Sequence, residues 1–294
     1  MIDVHSITGS WPAKTAATLG TAVLLVSSAA AAPRHIEKHF KVDPRPVVTI
    51  HNLNGTITVK AWTRPEVKLV VDSPSDRVDI DADQSGNRVD FAARANADNV
   101  SPEEIRANFE LMVPEDTELQ IHDDSGSVDV SDVMGDMAVD TIAAGVALQD
   151  AAGYLTIKTV GGTVQCLRCA GRIEINSISG NVKLIDLRSY SVRAQTAAGN
   201  ILFDGEFLAN GTYRLKNYSG TIEVRFSPAD SFGLSATSVK GKVINEANLT
   251  SSSSGTSHAS DSAFSHSLFG KLNQGKAKVE LASFDGTIRI HRRD

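Results

Sequence analysis

The chain has 294 residues, room for one large domain or two, and a hydrophobic content of 41% that supports a folded core. A formal net charge of -6, with no basic stripe, argues against a nucleic-acid binder. With 22 glycines, 9 prolines and many short β-branched runs, the composition leans to an all-β fold.

Residues 1–32 read as a targeting segment. Lys14 precedes the apolar run 16–26, and the small residues at 27–32 offer signal-peptide cleavage sites, with cutting after Ala30 favoured because Pro33 follows Ala32. An uncleaved membrane anchor is the alternative, although the run is shorter than the roughly 20 residues a spanning helix needs. Either reading implies an exported protein, in the periplasm, at the cell surface or outside the cell, where paired cysteines can persist as a disulfide. His35 and His39 follow directly and read as a flexible leader.

Residues 33–120 read as an N-terminal β-rich cap with a first coil, the unit Leu53-Asn54-Gly55-Thr56-Ile57-Thr58-Val59 followed by Trp62. Strand-like runs lie at 67–72, 77–81, 88–92 and 108–113, suited to covering the open edge of a repeat array. Asp79, Asp81 and Asp83 alternate with Val78, Ile80 and Ala82, as in a strand with a polar outer face. A calcium loop of the EF-hand type would want Gly and Glu at its sixth and twelfth positions, which they do not occupy. Ser101-Pro102-Glu103-Glu104 suits a single helical turn, with Ser101 as its cap.

A repeat governs residues 121–249. Small residues recur every nine positions at Gly126, Gly135, Ala144, Gly153, Gly162, Gly171 and Gly180. Apolar residues follow two and four places later, as in Val128 and Val130 or Leu155 and Ile157, which places both on one face of a strand. A third column, seven places after each small residue, holds Val133, Ile142, Ala151, Val160, Cys169, Ile178 and Leu187, and is expected to face inward as well. Alternate units are the more alike, so one coil comprises two strands and 18–21 residues. Such units cannot bury an apolar face alone and must stack. The expected fold is a single-domain β-solenoid, a flattened two-sided β-roll with a strand-rich N-terminal cap. Residues 250–276 read as a Ser-rich flexible insert, and 277–294 as a final coil closing the array.

The N-L-N-G-T-I-T-V unit with Trp62, the strand ending Leu111-Met112-Val113-Pro114, and the serial [ST]-x-x-G-x-[VI]-x-[VLI] units resemble a family of bacterial envelope proteins described as adhesins of unknown function. The resemblance covers roughly residues 36–290. It implies an exported or membrane-tethered β-solenoid engaged in adhesion, envelope scaffolding or stress sensing, and it supplies no catalytic residue.

Chemistry on a solenoid requires reactive groups aligned on an outer face. One outward column reads Asp129, Ala147, Gln165, Lys183, Leu202 and Glu223, and the other Ala138, Thr156, Glu174, Arg193 and Arg214. Neither pairs an acid with a base, so no catalytic, metal or cofactor-binding residue is assigned. Gly161-Gly162 reads as a bend, because no helix follows to make it a phosphate loop. Cys166 and Cys169, the only cysteines, form a C-x-x-C pair within the repeat. No helix start is present to activate a thiol and no further ligands align for zinc. Both are expected to face the core, as free thiols or as a structural disulfide. The sequence thus points to a non-enzymatic interaction surface, an adhesin or envelope scaffold. A stress-sensing module that binds another protein is the alternative, and a carbohydrate-active enzyme a third. Expected partners are an envelope protein or a surface glycan, with an N-terminal membrane tether and self-association through open sheet edges also to be considered.

Overall fold

A computed structural model describes residues 33–246, 249–251 and 264–293, all within the unit Ala31–Asp294. The described residues form 24 β-strands and no helix. The targeting segment and the Ser-rich run 252–263 lie outside them.

Two strands show the plan. Val47–Trp62 and Glu118–Ser131 each run through two sheets and bend at a glycine of positive φ, Gly55 and Gly126 respectively. Later coils divide this path into a strand in each sheet, such as Ala152–Thr159 with Val164–Leu167, and Ala170–Ser177 with Val182–Ile185. Neighbouring coils pair in parallel: Leu155 lies beside Met137 and Ile173, and Val164 beside Val146 and Val182. Alternation then sends every second side chain into one core. The two sheets meet there, with Phe203 edge-on to Tyr213 at 5.6 Å and Phe226 edge-on to Phe232 at 5.0 Å. This is the β-solenoid that the nine-residue repeat predicts.

The third column behaves differently from the expectation. Val133, Ala151, Cys169 and Leu187 are buried, whereas Ile142, Val160 and Ile178 point to solvent. The residue before each explains the difference. At the first bend this is Asp132, Asp150, Arg168 or Asp186, each left-handed with φ of 63°, 51°, 53° and 51°. Such a residue breaks the alternation and turns the next side chain inward. At the other bend Thr141 and Thr159 are themselves buried, so alternation continues and the next side chain turns out.

The order of coils in space also departs from the order in sequence. The final coil, Ala277–Ser283 with Thr287–Arg292, does not close the array. It lies between Thr212–Ser219 with Thr221–Phe226 on one side and Phe232–Ser238 with Lys242–Asn245 on the other. The N-terminal end mirrors this arrangement. Val47–Trp62 lies between Glu118–Ser131 and an outer coil made by Arg88–Ala95 and Asn108–Pro114.

Antiparallel strands flank both outer coils. At the N-terminal end Val78–Ser85 pairs with Arg88–Ala95, and Glu66–Ser73 pairs with Asn108–Pro114 and with Arg34–Lys41. His35 and His39 are therefore strand residues rather than a flexible leader, in contact with Asp72 and Glu37 respectively. Asp79 pairs with Arg34 and Asp81 with Arg94. Residues 101–105 make one hydrogen-bonded turn in which the Glu104 carboxylate accepts from the Ser101 N–H at 2.9 Å. At the other end Ser267–Leu272 pairs antiparallel with Phe232–Ser238, so this part of the expected flexible insert is strand.

Candidate interaction surface

The register brings both predicted outward columns into line. On the first sheet Ala138, Thr156, Glu174, Arg193, Arg214 and Glu280 are successive neighbours. On the second, Asp129, Ala147, Gln165, Lys183, Leu202, Glu223 and Arg289 follow one another. Some carboxylates are neutralised by near neighbours. Glu223 is bound by Arg225 at 2.7 Å and His291 at 3.0 Å, and Glu280 by Arg214 at 3.0 Å and Lys216 at 3.1 Å. Against the opposing effect of burial, the hydrogen bonds from Arg225 and His291 hold the Glu223 carboxyl below the usual range, and those from Arg214 and Lys216 do the same for Glu280.

Cys166 and Cys169 are both buried and present as free thiols. Cys166 stands beside Leu148 and Leu184 in the ladder. Cys169 caps the same coil at the bend, and its thiol lies 3.6 Å from the carbonyl of Leu148. A hydrogen bond with the Cys169 thiol and burial together push the Cys166 thiol up. The two act here as small apolar groups in the core.

The surface feature that the repeat alone did not disclose is an apolar ridge along one bend. Ile142, Val160, Ile178, Tyr218 and Val239 are between 47% and 62% exposed. Backbone bonds tie this bend from coil to coil: Gly161 N–H donates to Ile142 O, Ser179 to Val160, Ala198 to Ile178, Asp285 to Tyr218 and Lys240 to Phe284. Tyr218 stacks on Phe284 at 4.7 Å, and the Lys240 ammonium lies 4.9 Å from the Phe284 ring centre. Tyr218 and Phe284 are far apart in sequence and meet only because the final coil is inserted beside 212–226. No local signal could have paired them.

Beneath the ridge runs a ladder of buried polar side chains. Thr196 Oγ1 donates to Gly180 O at 3.1 Å, Ser238 Oγ donates to Gly286 O at 2.8 Å, and Gly286 N–H donates to Ser283 Oγ at 2.8 Å. These bonds satisfy backbone groups that the turn leaves without a strand partner. At its N-terminal end the ladder holds Asn52 and Asp123, joined by an Asn52 Nδ2 to Asp123 Oδ1 bond of 3.1 Å. Asp123 Oδ2 and Asn52 Oδ1 have no partner among the described residues. Burial raises the Asp123 pKa to about 7 against the effect of the Asn52 bond, with the Asp124 charge adding to the rise.

Among curated proteins, none matches the chain. The solved structures to which it is similar include a putative adhesin from Bacteroides fragilis, at 12% identity over 87% of this chain and 97% of that one, with a TM-score of 0.40. A putative cell adhesion protein from Clostridium sporogenes is 10% identical over 88% of this chain and 100% of its own, with a TM-score of 0.29. A putative adhesin from Parabacteroides distasonis is 10% identical over 87% and 97%, with a TM-score of 0.30. A family profile matches residues 47–291, which takes in both bent strands, the regular coils and the inserted final coil. The chain belongs to the Toastrack DUF4097 family.

Proposed function

We propose that this chain is an exported, non-enzymatic β-roll that presents an extended surface to a protein of the cell envelope, as an adhesin or scaffold. The reading is carried by the apolar ridge. Ile142, Val160, Ile178, Tyr218, Phe284 and Val239 come from six of seven consecutive coils, at a bend where the core is already closed by polar side chains. Seven coils at 4.8 Å extend the ridge over roughly 29 Å. An exposed apolar strip of this kind marks a protein-interaction site. Beside its first coils Gly161, Ser179, Ala198 and Ser219 are small and uncharged, so a protein surface can approach that part of the ridge without desolvating ions, whereas Lys240 and Asp285 place charge at its far end. Export rests on the apolar segment at 1–32.

The test uses the whole chain as bait in native envelope fractions, beside a variant carrying Val160→Lys and Ile178→Lys. Both positions are exposed, so the unfolding midpoint should stay unchanged. A defined protein captured by the parent and reduced at least about tenfold in the variant supports the reading, since burying two such side chains is worth more than 1.4 kcal/mol. Equal capture by a variant of unchanged stability overturns it.

A further inference from the structure

The first sheet carries a second surface of different chemistry. Its outward positions between the coils 152–167 and 277–292 hold Lys158, Arg172, Arg193, Arg214, Lys216 and Lys278, against the carboxylates Glu174 and Glu280. This is a positive face on a chain whose net charge is -6. Glu280 is shared by Arg214 and Lys216, and Glu174 accepts a hydrogen bond from Tyr154 Oη at 3.2 Å. The Arg193 side chain is exposed and has no ion-pair or hydrogen-bond partner among the described residues.

At the centre of this face is a depression of about 40 Å³, lined by the guanidinium-bearing Arg172, Arg193 and Arg214, the hydroxyl-bearing Ser191 and Thr212, and Glu174. Two exposed tyrosines neighbour its lining residues: Tyr154 is the ladder partner of Arg172, and Tyr190 precedes Ser191 in the chain. Arg172 lies over Tyr154, its guanidinium carbon 5.1 Å from the ring centre. Tyr190 owes its position to a β-bulge: Gly171 pairs with Ser189 and Arg172 with Ser191, which leaves Tyr190 outside the ladder and 62% exposed. A bulge of this kind re-aims a side chain that regular pairing would hold in line.

We infer that this face binds an acidic polysaccharide, a sugar polymer bearing carboxylate, sulfate or phosphate groups, with Arg193 as the central anion contact and Tyr190 as a stacking platform. Guanidinium forks match planar or tetrahedral oxyanions by paired hydrogen bonds. The apolar face of a sugar ring suits an exposed tyrosine whose hydroxyl remains in water. Coil spacing supplies the polymeric character: a chain lying across the strands meets Arg172, Ser191, Thr212 and Lys278 in turn, at steps of about 4.8 Å. The site lies on the flat face rather than on the bend that carries the apolar ridge, and the inference is independent of the proposed protein partner.

Titration calorimetry of the whole chain against polygalacturonate, dextran sulfate, neutral dextran and duplex DNA tests it. Binding to polygalacturonate or dextran sulfate that weakens with salt, with none to neutral dextran, is expected; which of the two binds more tightly identifies the anionic group. Arg193→Glu should lower that affinity at least about tenfold, the worth of one charged hydrogen bond. Tyr190→Ala should lower it several-fold. Lys183→Glu, an exposed change on the opposite sheet, should leave it unchanged. No binding to either acidic glycan, equal losses for Arg193→Glu and Lys183→Glu, or duplex DNA bound as tightly as the glycans would each overturn the inference.

Discussion

Asp123 is the residue whose surroundings conflict most with its chemistry. It is buried, accepts one hydrogen bond, and titrates near pH 7 against an ordinary value of 3.8. The direction of the linkage follows from proton counting. Between about pH 4 and pH 7 the folded chain keeps a proton that the unfolded chain has released, so stability from this site is fully present below pH 4 and falls as pH rises through 7. His51 acts oppositely, because burial and the stacked His122 ring at 4.7 Å push its pKa down. The test therefore compares slopes. Urea unfolding from pH 4 to pH 8 should show a smaller loss of stability in Asp123→Asn than in the parent. At pH 8 the variant should be the more stable by up to roughly 4 kcal/mol, at 1.36 kcal/mol per unit. Identical slopes would show that Asp123 ionises freely.

At the scale of the element, the bends rather than the strands set the architecture. Gly180 has no positive φ, yet a side chain there would meet a neighbouring coil: a Cβ would stand 1.9 Å from the carbonyl oxygen of Gly162. Gly145, on the same side of the roll, has its nearest such neighbour at 3.8 Å. Gly180→Ala should accordingly cost about 1–3 kcal/mol, as overpacking does, while Gly145→Ala should stay within about 0.5 kcal/mol. Matched urea midpoints for the two variants would contradict the close-approach account. The contrast also shows what could be read from sequence. The nine-residue spacing of Gly162, Gly171 and Gly180 revealed the coil, and the outward column of Glu174, Arg193 and Arg214 came out in register. Spacing alone does not give the direction of the third column, because the same spacing serves two kinds of bend. Only the left-handed backbone at Asp150 or Arg168, against the buried Thr141 or Thr159, decides whether the next side chain turns in or out. The Tyr190 bulge was hidden for a similar reason: one extra residue between Gly171 and Arg193 is visible as a spacing change but not as a direction.

For the whole molecule, the neighbour order of coils was beyond any local pattern, because every coil offers the same apolar strand edges to its neighbours. The inserted final coil makes a specific prediction. Removing 277–294 takes away the parallel partner that, among the described residues, alone joins Phe232–Ser238 and Lys242–Asn245 to the rest of the array. Hydrogen exchange on the truncated chain should show lost protection over 212–245 and retained protection over 118–185, since the contacts of a repeat array are nearest-neighbour. Uniform retention would indicate that 232–245 docks directly on 212–226. The outermost N-terminal strands, Arg34–Lys41 and Val78–Ser85, carry dense charge, including Lys38, Asp79, Asp81 and Asp83, which opposes pairing with a second edge.

The insertion has a mechanical consequence. Thr287–Arg292 is bonded on both sides, to Thr221–Phe226 and to Lys242–Asn245, and it leads directly to the C-terminal residues. A pull on that end along the strand loads two ladders at once in shear, so their bonds must fail together rather than one after another. Near the other end Val47–Trp62 is likewise held on both sides. Tension along Thr287–Arg292 would thus meet a doubly bonded strand, whereas Arg34–Lys41, paired on one side with Glu66–Ser73, would yield first.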